Sequence, residues 1–154
     1  MLALDAKTAL AITLPAAAVI SGTAAEIKKV YASSGITTAN NEVITVTDPA
    51  SAADVNAIAK LSGAVTATIK DGSVTATLNT LKDVVGADTI TFKTTDKTVN
   101  AKDLVDLKVL VDNFNTTSVT TITSKAADIG TNGTTVIAAL VIAPNAAVTI
   151  TNGT

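Results

Sequence analysis

The chain has 154 residues, of which 28 are Ala and 28 are Thr, while His, Cys, Trp, Arg and Gln do not occur. These absences exclude mechanisms that need an imidazole base, a thiolate, a Cys/His metal site or a guanidinium clamp, and a formal charge of −2 without a basic stripe argues against nucleic acid as a partner. The length predicts one domain over residues 1–154, and the low charged fraction of 16% in a Cys-free chain favours an extracellular or cell-surface location.

The first predicted element is a buried strand in residues 8–20, within an N-terminal segment that covers residues 1–22. The most apolar part contains Thr13 and Pro15 and is 12 residues long, whereas a membrane-spanning helix needs about 20 apolar residues. Asp5 and Lys7 stand before it in place of a basic cluster, so it also makes a poor secretion signal. We therefore expect no transmembrane segment here.

Residues 23–130 contain a tandem repeat. A motif of small residues, an acid and an aliphatic residue begins at positions 24, 52, 101 and 126, and a degenerate copy at position 75 completes five units of about 25 residues. Short runs that alternate apolar residues with Thr predict strands with one buried face, and these runs are residues 43–47, 65–69, 89–92 and 119–123.

A turn and then helical spacing follow each of these strands. One apolar stripe consists of Leu104, Leu107, Val111 and Phe114, and another consists of Val74, Leu78, Leu81 and Val85. Strand, turn and helix in so short a unit bring successive strands together in parallel with right-handed crossovers.

We therefore predict an α/β fold, a right-handed βα solenoid of about five coils with β-rich terminal segments. The alternative is an open α/β sandwich. The expected core residues are Ile44, Val46, Val55, Ile58, Val65, Ile69, Leu78, Leu81, Ile90, Phe92, Leu104, Leu107, Val111 and Phe114.

The predicted helices carry start and stop signals. Capping boxes are predicted for the pairs Thr23 and Glu26, Ser51 and Asp54, and Asn100 and Asp103. Left-handed helix ends are predicted at Gly63, Gly86 and Gly130. These signals give the repeated acids and glycines a structural explanation.

One Asp follows the strand in three successive repeats, and Asp48, Asp71 and Asp96 are the candidate calcium ligands along one edge of a solenoid. They also suit turns and helix caps, because Pro49 after Asp48 fits the first position of a helix. One carboxylate per coil seldom supplies the roughly six to eight oxygens that calcium prefers. We expect no cofactor and at most weak calcium binding.

A second row consists of Thr-x-Thr pairs, namely Thr45/Thr47, Thr66/Thr68, Thr89/Thr91, Thr121/Thr123 and Thr149/Thr151. Such a ladder is a feature of ice-binding solenoids, but Thr is also common on exposed strand faces. Lys70 and Lys93 continue the same face and interrupt it, which favours an ordinary solvated face.

The C-terminal segment, residues 131–154, is predicted to be β-rich. Residues 136–142 are apolar at every position, so a strand there needs cover on both faces, and a turn at Pro144 leads to a further strand in residues 146–151. The segments 8–20 and 135–151 either fold back as caps or meet another copy. The candidate interface residues are Leu10, Ile12, Leu14, Val136, Leu140 and Ile142.

The segment from Val43 to Thr68 resembles the Ala/Thr-rich βα repeats of large bacterial surface and secreted proteins, including S-layer-like proteins and RTX-type adhesins. The resemblance lies in a strand, Asp48, a helix start in residues 51–58 and the next strand, and it covers about residues 19–130. It implies an extracellular, non-catalytic module used in series. The Gly-rich calcium nonapeptides of RTX proteins are missing from the sequence.

Two classes of function follow. The first is a non-enzymatic structural protein that associates head to tail into a fibre, sheet or coat, with other copies or neighbouring repeat modules as partners. The alternative is an adhesin-type binding module for calcium, a glycan or ice. Catalysis is not expected, because the repeats already account for the carboxylates and for the Ser and Lys residues.

Overall fold

A computed structural model describes residues 2–126 and 134–151. Within them the protein is a mixed α/β structure with six helices and ten strands, and the strand pairs are parallel. The prediction of an α/β fold with parallel strands is confirmed. The contacts divide the chain into unit 1, Met1–Ile69 with Asp83–Ile90, and unit 2, Lys70–Lys82 with Thr91–Thr154. The prediction of a single repeat domain stays a prediction.

Unit 1 contains three helices and five complete strands. They are α1 (Leu2–Asp5), β1 (Ile12–Thr13), β2 (Val19–Gly22), α2 (Ala24–Ala32), β3 (Ile36–Thr37), β4 (Val43–Val46), α3 (Ala52–Ala59) and β5 (Ala64–Thr68). Strands β2, β4 and β5 pair in that order, and β1 pairs with β3. Helix α2 contacts β2 and α3, and α3 contacts β5.

Unit 2 contains the remaining described elements. They are α4 (Val74–Thr80), β7 (Thr98–Asn100), α5 (Ala101–Leu110), β8 (Asn113–Asn115), β9 (Thr121–Lys125), α6 (Thr134–Ile142) and β10 (Ala147–Thr151), while β6 (Thr89–Lys93) begins in unit 1 and ends in unit 2. Strand β6 pairs with β8, and β9 pairs with both β7 and β10. Helix α5 contacts α4 and α6.

The core follows the alternation in the sequence. In β4 the side chains of Ile44 and Val46 are buried, whereas Thr45 is half-buried on the other face. All the predicted core residues are buried except Leu78 and Phe114, which are half-buried. The period-two pattern therefore identified the inward faces of the strands correctly.

The helical stripes extend further in the sequence than the helices do. Helix α5 ends at Leu110, and Phe114 lies in β8. The ring centroids of Phe114 and Phe92 are 5.7 Å apart. Helix α4 ends at Thr80, and Val85 is 57% exposed. The prediction of longer helices is wrong because Leu81 and Val111, the first residues after α4 and α5, are also buried and continue the spacing. Val85 does not continue it.

The predicted strand in residues 136–142 is also wrong, because these residues form α6. A uniformly apolar run has no period, so a strand and a helix are equally compatible with it. In the helix, Ala139 is buried and Val136 and Leu140 are half-buried, and Ala143, directly after the helix, is also buried. These four positions have the spacing of one helix face.

The N-terminal strand prediction is wrong over most of its length. Residues 8–20 contain the two-residue β1 and the start of β2, and a turn in which the Ala18 amide donates to the Pro15 carbonyl separates the two strands. Ala17 in this turn has a φ of 56°, which extended backbone does not allow. Pro15 and the turn therefore interrupt the strand.

The three predicted N-cap residues, Thr23, Ser51 and Asn100, all cap helices through their side chains. Thr23 and Glu26 form a complete capping box at the start of α2. At the start of α3 the Ser51 hydroxyl accepts a hydrogen bond from the Asp54 amide. The Asn100 side chain caps α5 through the Lys102 amide.

The prediction of left-handed helix ends at Gly63 and Gly86 is wrong, because neither residue has the left-handed backbone conformation. A Cβ atom on Gly63 would lie 2.7 Å from the Asn41 carbonyl oxygen, so close backbone approach is what requires glycine there. Gly130 and the helix start in residues 127–129 lie outside the described residues.

Candidate functional site

The Asp residues of the predicted calcium edge bind backbone amides or a lysine. The Asp48 carboxylate accepts a hydrogen bond from the Ala24 amide, 24 residues earlier, and the Asp96 carboxylate accepts one from the Val74 amide, 22 residues earlier. Both amides belong to the first residue of a helix, where backbone donors have no partner within the helix. Asp71 instead forms a half-exposed ion pair with Lys93, at 3.1 Å.

These contacts support the interpretation of Asp48 and Asp96 as capping residues. Among residues 2–126 and 134–151, no group of three or more acidic side chains is placed to hold a metal ion. The prediction of at most weak calcium binding stays a prediction.

A second row of acids directly precedes strands β4 and β6. Glu42 is fully buried and Asp88 is 6% exposed. The Glu42 carboxylate accepts a hydrogen bond from the Ala39 amide at 2.6 Å. The Asp88 carboxylate accepts one from the Val85 amide at 2.9 Å. In each case the donor lies three residues earlier in the chain. The sequence analysis missed these acids, and the available signal was an acid immediately before an alternating apolar and Thr run.

Glu42 also binds a tyrosine. The Tyr31 hydroxyl donates to Glu42 at 3.0 Å. Burial raises the pKa of Glu42, but hydrogen bonds from the amides of Ala39, Glu42 and Asn41 and from Tyr31 outweigh burial, so the pKa lies below its usual 4.5. Burial and then Glu42 raise the pKa of Tyr31 above its usual 10.0. The arrangement holds a charged carboxylate beside a neutral phenol.

Further polar contacts join residues of one repeat to those of the next. Lys28 pairs with Asp54, 26 residues later. The Thr75 hydroxyl donates to Asp103 at 2.6 Å, 28 residues later. Asp103 thus connects α4 to α5, and the Asn100 side chain accepts a hydrogen bond from the Lys102 amide where the predicted box has the Asp103 amide.

Strand β10 forms an exposed sheet edge. All five of its residues are exposed, none is charged, and in the described part of the chain no strand pairs with its other edge. Its Val148 pairs with the buried Ile122 but is itself 38% exposed, and Ile150 is 45% exposed. On the face of the sheet where Ile122 is buried, the last strand of unit 2 therefore carries two uncovered aliphatic side chains, Val148 and Ile150.

Strand β2 forms the corresponding edge of unit 1. It carries no charge, and no described strand pairs with its outer side. A cavity of about 480 Å³ opens at this edge, lined by α1, β2 and α2 residues. Its apolar lining includes Ile20, Ile27 and Val30. Gly22 places no side chain on the inward face of the strand.

The predicted interface residues occupy other environments. Leu10 is 79% exposed, while Ile12 and Leu14 are half-buried in or beside β1. The other three, Val136, Leu140 and Ile142, are half-buried in α6. The outer face of α6 instead presents Ile137 and Val141, which are 63% and 77% exposed.

The Thr pairs form rows on the outer faces of the sheets. In unit 1, Ser21, Thr45 and Thr66 stand side by side, and in unit 2 Thr123 stands beside Thr149. Thr66 and Thr149 are exposed, and Thr45 and Thr123 are half-buried. The hydroxyls thus lie on the solvent side of each sheet.

Comparison with known protein families, curated proteins and solved structures finds no match to this chain. Of the helices described, none is both long enough and apolar enough to cross a lipid bilayer. The resemblance to S-layer-like and adhesin repeats stays an expectation based on the sequence.

Proposed function

We propose that this chain is a non-enzymatic structural protein of the cell exterior. In the proposal its repeats form a right-handed βα solenoid of about five coils, each a strand, a turn and a helix. Copies associate head to tail into a fibre, sheet or coat. The extracellular location comes from the composition and from the resemblance to surface-protein repeats.

The observation that carries this proposal is the edge strand β10. Native proteins normally protect a sheet edge with charge, proline or a covering element, and β10 has five exposed, uncharged residues. No strand in the described part of the chain pairs with the outer edge of β10. A further strand there would bind its backbone groups and cover Val148 and Ile150. A protein that assembles through its sheet edges needs such a surface.

The solenoid part of the proposal rests on regular spacing. Capping bonds join residues 24 and 22 apart, and contacts between consecutive helices join residues 26 and 28 apart. Contacts repeated at nearly one sequence interval are what a stack of similar coils produces. An open α/β sandwich remains the alternative fold.

Sedimentation velocity over a wide concentration range, with electron microscopy of the same samples, tests self-association. We expect species that grow with concentration for the natural chain, and loss of this growth in Ile150→Lys. The matched control is Val109→Lys, because Val109 is an aliphatic residue of α5 that is 79% exposed. A natural chain that stays monomeric at every concentration would contradict the proposal.

The alternative function is an adhesin-type binding module, and the outer Thr rows favour it. Thr45 beside Thr66, and Thr123 beside Thr149, present hydroxyl and methyl groups in register. Such a surface suits a glycan or ice. A monomeric chain that binds immobilised polysaccharide, and loses binding when Thr66 is replaced by Val, would support this alternative.

A further inference from the structure

Strands β10 and β2 are complementary edges, and we propose that β10 of one copy pairs in parallel with β2 of the next. The proposed register places Val148 beside Ile20, Thr149 beside Ser21 and Ile150 beside Gly22. This inference rests on the proposed self-association, and it names the surfaces and the partner, which is a second copy of the chain.

The register follows from which side chains point inwards. In unit 1, Ile20 pairs with the buried Ile44 and Gly22 pairs with the buried Val46, so both β2 positions lie on the core face. In unit 2, Val148 pairs with the buried Ile122. Because side chains alternate along a strand, Ile150 shares that face with Val148. A shift by one residue would turn both to solvent.

The shapes of the two edges also match. Val148 and Ile150 project from β10 and are more than one-third exposed. The β2 edge offers the cavity of about 480 Å³. At Gly22 it offers a core-facing position without a side chain, where a Cβ atom would lie 3.2 Å from a carboxylate oxygen of Glu26. Glu26 is the charged residue in the lining of this cavity. Its carboxylate already accepts hydrogen bonds from the amide and the hydroxyl of Thr23. Aliphatic groups would enter the part of the cavity that Leu2, Ile27 and Val30 line.

The outer faces continue in the same register. Thr149 would extend the row of Ser21, Thr45 and Thr66. Neither strand carries a charge that would repel the other. Strand β2 comes first in its sheet and β10 comes last in its own, so the contact uses two different surfaces and is heterologous. Unless such a contact closes into a ring, it continues as a filament.

Disulfide trapping tests the register, because the natural chain contains no cysteine. Adjacent strands lie about 4.7–4.9 Å apart, within the Cα separation of about 4.4–6.8 Å that a disulfide spans. We expect a mixture of Ser21→Cys and Thr149→Cys chains to form a covalent dimer on mild oxidation. A chain with both substitutions should give a ladder of multimers.

The register control replaces Ser21→Cys with Val19→Cys, which lies two positions earlier on the same face of β2. We expect at least a several-fold lower yield of the dimer with Thr149→Cys. Equal yields from both pairs would overturn the proposed register. Circular dichroism before oxidation establishes that the variants are folded.

Sedimentation separates failure of this inference from failure of the proposed function. Oligomers of the natural chain without disulfide trapping between Ser21→Cys and Thr149→Cys would overturn the strand pairing and leave self-association standing. Loss of oligomers in Val141→Lys but not in Ile150→Lys would assign the contact to α6 and also overturn it. A natural chain that is always monomeric would overturn both.

Discussion

Five acidic side chains, at positions 26, 42, 48, 88 and 96, accept hydrogen bonds from backbone N–H groups. Glu26 acts within its own helix start, while Asp48 and Asp96 act on a helix of the preceding repeat. Hydrogen bonds from backbone amides favour the charged forms of Glu26 and Glu42 and lower the pKa of each carboxyl. At this scale the acids stabilise turns and helix starts.

Tyr31→Phe tests the buried carboxylate most directly. The substitution removes the hydroxyl that donates to Glu42, so the buried Glu42 carboxylate loses one hydrogen-bond donor. We therefore expect the free energy of unfolding at pH 7 to fall by about 1–3 kcal/mol. Urea unfolding measures it. The pKa of Glu42 in the folded state lies below 4.5, so its stabilisation is present above that pH and is lost as the pH falls through the folded pKa.

The difference between natural and Tyr31→Phe chains should therefore shrink as the pH falls below 4.5. The control is Glu42→Gln, in which Tyr31→Phe should cost an amount that does not change over this pH range. A cost of Tyr31→Phe that is constant from pH 7 downwards in the natural background would contradict the proposed link to the Glu42 charge.

The helices are held mainly by their buried faces. Helix α5 buries Ala101, Leu104 and Leu107, and it contacts α4 and α6. Its opposite face includes Val109, which is 79% exposed. An element of ten residues is marginal as an isolated helix, so packing of the buried face decides its stability.

Leu107→Ala should lower the free energy of unfolding by about 2–5 kcal/mol, because it removes a fully buried side chain and leaves a cavity. Val109→Ala is the matched control in the same helix, with an expected change of about 0.5 kcal/mol or less. Thermal or urea unfolding of both variants provides the measurement. Similar costs at the two positions would show that this face of α5 is not the one that packs.

Each unit of the molecule combines parallel strands with helices, and each presents a sheet edge without a described partner strand. The edge of unit 1 has the cavity beside Ile20, and the edge of unit 2 has the uncovered Val148 and Ile150. These two edges are the basis of the proposed assembly. The predicted Asp row is not needed for it, because Asp48 and Asp96 already cap helices.

The melting temperature should respond little to calcium. We expect nearly superimposed melting curves in EDTA and in millimolar calcium, because Asp48 and Asp96 are engaged with amides and Asp71 with Lys93. Magnesium at the same concentration controls for ionic strength. A large rise specific to calcium would contradict this expectation and favour the adhesin-type alternative.

Sequence patterns predicted those parts of the fold that depend on local chemistry. Alternation of apolar residues with Thr identified Ile44 and Val46 as inward-facing, because a strand turns successive side chains to opposite faces. The Thr23 and Glu26 capping box was predictable because both partners lie within one helical turn.

The sequence by itself determined an α/β fold with parallel strands, the inward faces of strands such as β4 and the residues that cap α2, α3 and α5. Only the tertiary structure decided that residues 136–142 are helical, because a run without polar residues carries no period. It also decided that Asp48 binds the Ala24 amide and that β10 is exposed. Those outcomes depend on which distant segments become neighbours, and a local pattern does not encode that choice.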